Sequence, residues 1–149
     1  MPTFAIVNGP NLNWLGRRNP KIYGSRNWEE IWSDLKNWAE SQNFQLIYFQ
    51  SNSEGGLIDF LQQQSFKIQG IVFNPGAYAH TSIALRDCVA DLPVPVVEVH
   101  LSKTHQRESF RHHSYIAEVA QASIVGFGEK GYWLGLEVLK RIYDRSEQR

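Results

Sequence analysis

Five short stretches of this chain are apolar at nearly every position: Phe4 to Val7, Phe44 to Phe49, Ile71 to Phe73, Val96 to His100 and Ser123 to Val125. A strand with one wet face alternates apolar and polar residues, so runs that lack the alternation belong to strands covered on both sides. Between them the rhythm changes. Trp28, Ile31, Trp32, Leu35 and Trp38 recur at helical spacing behind Asn27 and Glu30, which resemble a capping box, and three tryptophans on one face predict a core. Leu57, Ile58 and Leu61 mark a helix over Glu54 to Ser65, and Thr81 to Asp91 reads as another that Thr81 or Ser82 can cap. A last helix is predicted from Gly131 to about Arg145, with Tyr132, Leu136, Leu139 and Tyr143 on one side.

Strands and helices alternate from end to end, which predicts an α/β fold: a five-stranded parallel sheet with helices on both faces, in the flavodoxin-like or a related doubly wound order. At 149 residues the chain has the length of one domain, residues 1–149, and ~70 % of its unfolded surface can be buried at that size. No repeat or linker interrupts it.

Charge narrows the function classes. Fifteen basic residues balance fifteen acidic ones, so no global field draws the chain to nucleic acid or to an anionic membrane, and a small charged substrate has to be met by local charges. The one cysteine, Cys88, lies in an apolar helical run and reads as a core thiol, with no partner for an intramolecular disulfide or a cysteine metal cluster. Met1 to Asn8 has no basic lead and only a short apolar run, so neither a signal peptide nor a membrane span is expected and the cytoplasm is the predicted location.

In doubly wound sheets ligands bind beyond the carboxyl ends of the strands. Three polar segments follow such ends: Asn8 to Tyr23, Asn74 to His80, and Glu98 to Arg111. In the first, Gly16-Arg17-Arg18-Asn19-Pro20-Lys21-Ile22-Tyr23-Gly24 gathers positive charge around one tyrosine and reads as a lid. A tyrosine becomes a base near neutral pH only where cations favour its phenolate, ordinarily formed near ~10; the bland alternative is a surface tyrosine beside solvated arginines. Glu98 and His100, two apart on a strand, share one face, so the carboxylate can orient the imidazole as a proton donor or simply form a structural hydrogen bond. Arg107 and Arg111 are four apart and would share a face of a helical turn. His105, His112 and His113 show no metal-ligand spacing, no GxGxxG follows the first strand, no GxxxxGK[ST] is present, and the Gly126-Phe127-Gly128 stretch is too lone a signal to count. Neither metal nor nucleotide is implied, and cofactor-free chemistry is expected.

Taken together the segments resemble type II 3-dehydroquinate dehydratase, the small flavodoxin-like dehydroquinase. The resemblance rests on Asn8-Gly9-Pro10-Asn11-Leu12 with Pro20-Lys21-Ile22-Tyr23-Gly24, on Gln50-Ser51-Asn52-Ser53-Glu54-Gly55, on Asn74-Pro75-Gly76-Ala77-Tyr78-Ala79-His80-Thr81-Ser82, and on Glu98-Val99-His100-Leu101-Ser102 with Arg107-Glu108, Phe110-Arg111 and Ser114-Tyr115. It implies dehydration of 3-dehydroquinate by anti elimination through an enolate, with no Schiff base and no cofactor. It further implies Tyr23 as base, Arg18 holding its phenolate, Asn11 at the enolate oxygen, and His100 as general acid oriented by Glu98. Asn74, Leu101 and Ser102 correspond to a carboxylate cradle, His80 and Arg111 to hydroxyl-binding positions, Arg107 to an anchor of the site. Asp87 matches a residue that enters a neighbouring subunit's site in a trimer-based dodecamer. Asn19 stands where many members have Glu, and Lys103 where Asn is usual. Two other readings remain open: a catalytically silent relative used for binding or assembly, and a flavodoxin-like mononucleotide-binding protein, which lacks a visible phosphate loop here.

Overall fold

The computed structural model describes residues 1–17, 19–23 and 25–148. Each apolar run becomes a strand: β1 Thr3–Asn8, β2 Gln45–Gln50, β3 Gly70–Asn74, β4 Val96–His100 and β5 Ala122–Val125. All neighbours pair parallel in the order β2-β1-β3-β4-β5. This is the flavodoxin-like order.

The helices are α1 Pro20–Tyr23, α2 Trp28–Ser41, α3 Glu54–Gln64, α4 Ile83–Ala90 and α5 Lys130–Glu147. Side-chain alternation divides the core between them. Phe4 and Ile6 of β1, Val72 of β3 and Val97 and Val99 of β4 pack with Trp28, Ile31 and Leu35 of α2 and Tyr132, Leu136 and Leu139 of α5. The intervening residues, Ala5, Val7, Ile71, Phe73 and Val96, pack with Leu57 and Leu61 of α3 and Leu85, Cys88 and Val89 of α4. Strands covered on both sides have no polar face to display, which is why their sequences do not alternate. Each large aliphatic side chain so buried contributes about 1.5–3 kcal/mol against exposure.

Capping sets the helix starts. Asn27 accepts the Glu30 N–H at 3.0 Å, Ser53 accepts the Gly56 N–H at 3.0 Å, and Ser82 accepts the Leu85 N–H at 2.9 Å. Ser82 rather than Thr81 is therefore the cap, and α4 begins at Ile83. Cys88 is buried, and desolvation pushes its thiol up to about 11. The connection from β4 to β5 corrects one expectation. Arg107 and Arg111 do not share a helical turn: Arg107 is extended and follows one 3-10 turn, Thr104–Gln106, while Arg111 ends another, Ser109–Arg111. Spacing alone gave no warning, because the break comes from the extended backbone of Arg107 and Glu108.

Candidate active site

The order reversal of the sheet lies between β1 and β3, where Asn8 and Asn74 stand opposite one another at the last paired position. Their loops run in contact. The Gly9 N–H donates to the Asn74 carbonyl at 2.7 Å, and a Cβ on Gly9 would lie 2.4 Å from the Pro75 carbonyl oxygen, so only glycine fits. Gly76 has φ +59, in the left-handed region, and its Cβ position faces the Pro10 carbonyl. The two loops thus form one wall of a pocket of about 120 Å³, completed by Tyr23 and by residues that follow β4: His100, Leu101, Ser102, Thr104, Arg107 and Arg111. Its size suits one small ring, well below the ~300 Å³ and more of drug-sized sites.

One end of the pocket is built on β4. Glu98 is 1 % exposed and His100 7 %, and His100 Nε2 lies 2.8 Å from Glu98 Oε2. Ser123 of the neighbouring strand donates to Glu98 Oε1 at 2.7 Å, and the Ser114 hydroxyl donates to Oε2. Burial alone would raise the Glu98 carboxyl, yet the hydrogen bond and charge of His100 and the two serine hydroxyls outweigh it and hold the carboxyl below its ordinary range. His80 lies over His100 with ring centroids 5.9 Å apart, and its Nδ1 is 2.7 Å from the His113 carbonyl. A carbonyl only accepts, so Nδ1 carries the proton and Nε2 offers a lone pair. Burial lowers the His80 pKa and favours this neutral form.

The other end rests on a loop. Tyr23 closes α1, a single turn that begins at Asn19-Pro20. Asn19 Oδ1 accepts the Lys21 N–H at 3.2 Å, and the Asn19 carbonyl accepts the Tyr23 N–H at 3.1 Å, so Asn19 caps the turn carrying the tyrosine. Arg107 Nη1 donates to the Tyr23 hydroxyl at 2.8 Å and to Ser102 Oγ at 3.3 Å. Its guanidinium carbon is 5.3 Å from the Tyr23 ring centroid. Arg111 lines the same pocket with Nε held by Glu108 at 2.9 Å. Arg18, expected beside Tyr23, lies outside the described residues.

Asn11 lines the pocket with φ 68, and its N–H donates to Asn52 Oδ1 at 3.0 Å. Tyr78 donates to the Asn52 carbonyl at 2.7 Å, so Asn52 ties the loops after β1 and β3 together. Behind Asn74 runs a buried network through Tyr132 and Asn8. Of the expected site residues, Asn11, Tyr23, Asn74, His80, His100, Leu101, Ser102, Arg107 and Arg111 meet at this pocket, with Glu98 directly behind His100. Asp87 does not: it stands exposed on α4, paired with Arg86 at 3.2 Å. Sequence reasoning missed Thr104, Ser114, Ser123, Asn52 and Tyr132. Of these Ser114 and Asn52 lay within quoted motifs without a role, and Tyr132 was read as apolar core only.

Elsewhere the surface is less chemically equipped. Shallower hollows along α5 are lined by residues such as Val138, Arg141 and Ile142. His105, His112 and His113 are exposed, and among the described residues no three His, Cys, Asp or Glu side chains are grouped to hold a metal ion. No helix among them is long and apolar enough to cross a membrane.

The family model for dehydroquinase class II matches residues 2–140. A 3-dehydroquinate dehydratase of Bacillus pumilus is 52% identical over 139 residues, covering 93% of this chain and 95% of the relative. A 3-dehydroquinate dehydratase 2 of Pseudomonas aeruginosa is 51% identical over 135 residues, covering 91% of each. Among solved structures, the type II dehydroquinase of Butyrivibrio crossotus superposes with a TM-score of 0.91 at 41% identity, covering 93% of this chain and 97% of that one.

Proposed function

From the premise that this chain belongs to the class II dehydroquinase family, we propose how its pocket carries out the reaction. The enzyme dehydrates 3-dehydroquinate to 3-dehydroshikimate. Tyr23, as phenolate, takes a proton from C2 and leaves an enolate on the C3 oxygen. Arg107 neutralises the charge while Tyr23 carries it, and Arg18 shares this task. Asn11 stabilises the enolate oxygen, directly or through water; preorganised donors of this kind lower a barrier by about 2.7–4 kcal/mol each. The enolate then collapses to the conjugated enone as the C1 hydroxyl departs, and His100 protonates that hydroxyl so that it leaves as water. Glu98 holds Nε2 of His100, so Nδ1 delivers the proton. Base and acid act on opposite sides of the ring, in an anti elimination.

The substrate carboxylate sits against Asn74, Ser102 and the Leu101 amide. His80 accepts from a ring hydroxyl through Nε2, and Arg111 binds a second. No lysine is among the described residues lining the pocket, in keeping with a route that forms no imine. Asp87, exposed on α4, serves a neighbouring subunit's pocket within a trimer, and four trimers make a dodecamer. The whole chain, residues 1–149, acts as one domain and works in the cytoplasm.

The observation that carries this reading is that the Glu98–His100 pair and the Tyr23–Arg107 pair share one small pocket. Its test is direct: with 3-dehydroquinate added, absorbance of the conjugated enone rises in proportion to enzyme. No enone at high enzyme concentration would overturn it. Borohydride added with substrate leaves activity intact, whereas inactivation with a lysine adduct would exclude the enolate route.

A further inference from the structure

Asn74 faces a choice that its own shape does not settle. An amide presents either an oxygen or an N–H to a ligand, and the two ends are nearly the same size. A substrate carboxylate only accepts hydrogen bonds, so the pocket needs the N–H. The choice is made from behind. The Gly76 N–H donates to Asn74 Oδ1 at 3.2 Å, and Asn74 Nδ2 donates to the Tyr132 hydroxyl oxygen at 3.0 Å. Tyr132 has a single hydroxyl proton, and it goes to Asn8 Oδ1 at 2.7 Å. Only lone pairs remain toward Asn74. Asn8 is oriented in turn, because its Nδ2 donates to the Tyr48 hydroxyl oxygen at 3.3 Å.

Gly76, Asn74, Tyr132, Asn8 and Tyr48 therefore form a chain in which each member donates to the next. Water is no substitute here, since Tyr132 and Asn8 are fully buried and Asn74 is 2 % exposed. Trp28 fixes both phenol rings: it stacks on Tyr48 with centroids 4.6 Å apart and meets Tyr132 edge-on at 5.1 Å. Reversing any one member would set two donors or two acceptors against each other in a dry interior.

We propose that Tyr132 is a positioning residue that fixes the polarity of the pocket: it holds the Asn74 amide so that its second N–H, and not its oxygen, meets the substrate carboxylate. This rests on the assignment of Asn74 to that carboxylate. Tyr132 itself never touches substrate. Burial raises the Tyr132 hydroxyl well above its ordinary range and pushes Tyr48 up to about 12, so both stay protonated and the chain keeps its direction at neutral pH.

The experiment compares steady-state kinetics with 3-dehydroquinate for Tyr132→Phe, Tyr48→Phe, Asn74→Ala and the double variant Tyr132→Phe/Asn74→Ala. Tyr132→Phe is expected to raise KM about tenfold with kcat within about threefold of the parent, the signature of lost ground-state and transition-state binding alike. Tyr48→Phe, at the far and half-buried end, raises KM about two- to threefold by loosening Asn8 alone. If Tyr132→Phe does not fold, Tyr48→Phe decides, and an unchanged KM there overturns the proposal. In the double variant, loss of the hydroxyl adds nothing to the KM of Asn74→Ala; independent, multiplying effects overturn it. If Asn74→Ala itself leaves KM unchanged, the carboxylate assignment is wrong and the proposal goes with it. If Asn74→Ala raises KM while Tyr132→Phe folds and does not, only the role of Tyr132 is lost.

Discussion

The two ends of the pocket are held by different means. His100 and Glu98 are part of a central strand, their common face fixed by strand period and their carboxylate saturated by His100, Ser114 and Ser123. Tyr23 sits on a single helical turn, where its hydroxyl meets Arg107 and its backbone is capped by Asn19. The acid end is therefore also a piece of the core, while the base end is an attachment to it. Substitutions at the acid end should cost stability and activity together; those at the base end should cost activity alone.

Tyr23→Phe tests this most severely. It removes the proton acceptor and nothing that the sheet depends on, so kcat should fall by a factor on the order of 10³ or more while stability stays within ~0.5 kcal/mol, as for substitutions outside the core. Kinetics beside a denaturant melt read both quantities, and a large loss of stability would show the base end to be structural after all.

Glu98→Gln should show the opposite pattern. A glutamine amide carries no charge and keeps one accepting oxygen, so His100 loses its charge-assisted partner in a buried site and one serine hydroxyl has to turn to accept an N–H. The expected cost is about 2–3 kcal/mol, a fall in melting temperature of roughly 4–12 °C for a chain of this size. Turnover should drop on the order of 10²-fold as His100 loses its orientation. Loss of turnover with no change in melting temperature would erase the distinction between the two ends.

How much of this was legible in the sequence follows the same division. The sheet could be read because five largely apolar runs between helical patterns leave few other folds, and the Glu98–His100 pairing because residues two apart on a strand share a face. The serine partners of Glu98 were not legible. Ser114 and Ser123 lie 16 and 25 residues away and reach it only through strand order and the course of a loop that local pattern does not encode. Tyr132 looked like one more apolar position of α5, because its ring is core; that its hydroxyl reaches Asn8, 124 residues distant, depends on how the helix returns across the sheet. The helical turn expected to carry Arg107 and Arg111 failed for the opposite reason: helical spacing was visible, but an extended residue between two short turns overrode it, although both side chains still reach the pocket.

Asn19→Ala sharpens the comparison at the base end. Removing a cap from an exposed turn costs about 0.5–2 kcal/mol of that turn's stability, but the turn is too small a part of the fold for global melting to register most of it. The expected result is a several-fold drop in kcat with the melting temperature nearly unchanged. Equal kcat in the variant would mean that Tyr23 is placed without the Asn19 cap.

The smallest effect is the dependence of stability on pH, and it too should belong to the acid end. The Glu98 carboxyl is held below its ordinary range: burial opposes the shift, but the hydrogen bond and charge of His100 and the two serines exceed it. A group whose folded pKa is depressed contributes stability that is present above its unfolded value, about 4.3 for Glu, and that is lost as the pH falls through the folded one. His80 is also lowered, first by burial, with the hydrogen bond to the His113 carbonyl opposing. The unfolded chain then binds this proton more readily than the folded one, so stability falls as the pH drops from about 6.5 toward the folded value. Melting temperatures measured from neutral pH downward should decline in two stages, one below about 6.5 and one below about 4.3. His80→Gln should flatten the first stage and leave the second, Glu98→Gln should reduce the second, to which Glu108 beside Arg111 also contributes, and Tyr23→Phe should leave both in place. If Tyr23→Phe instead altered the acid-side profile, the base end would be coupled to the core's proton balance, and the separation between attachment and core would not hold.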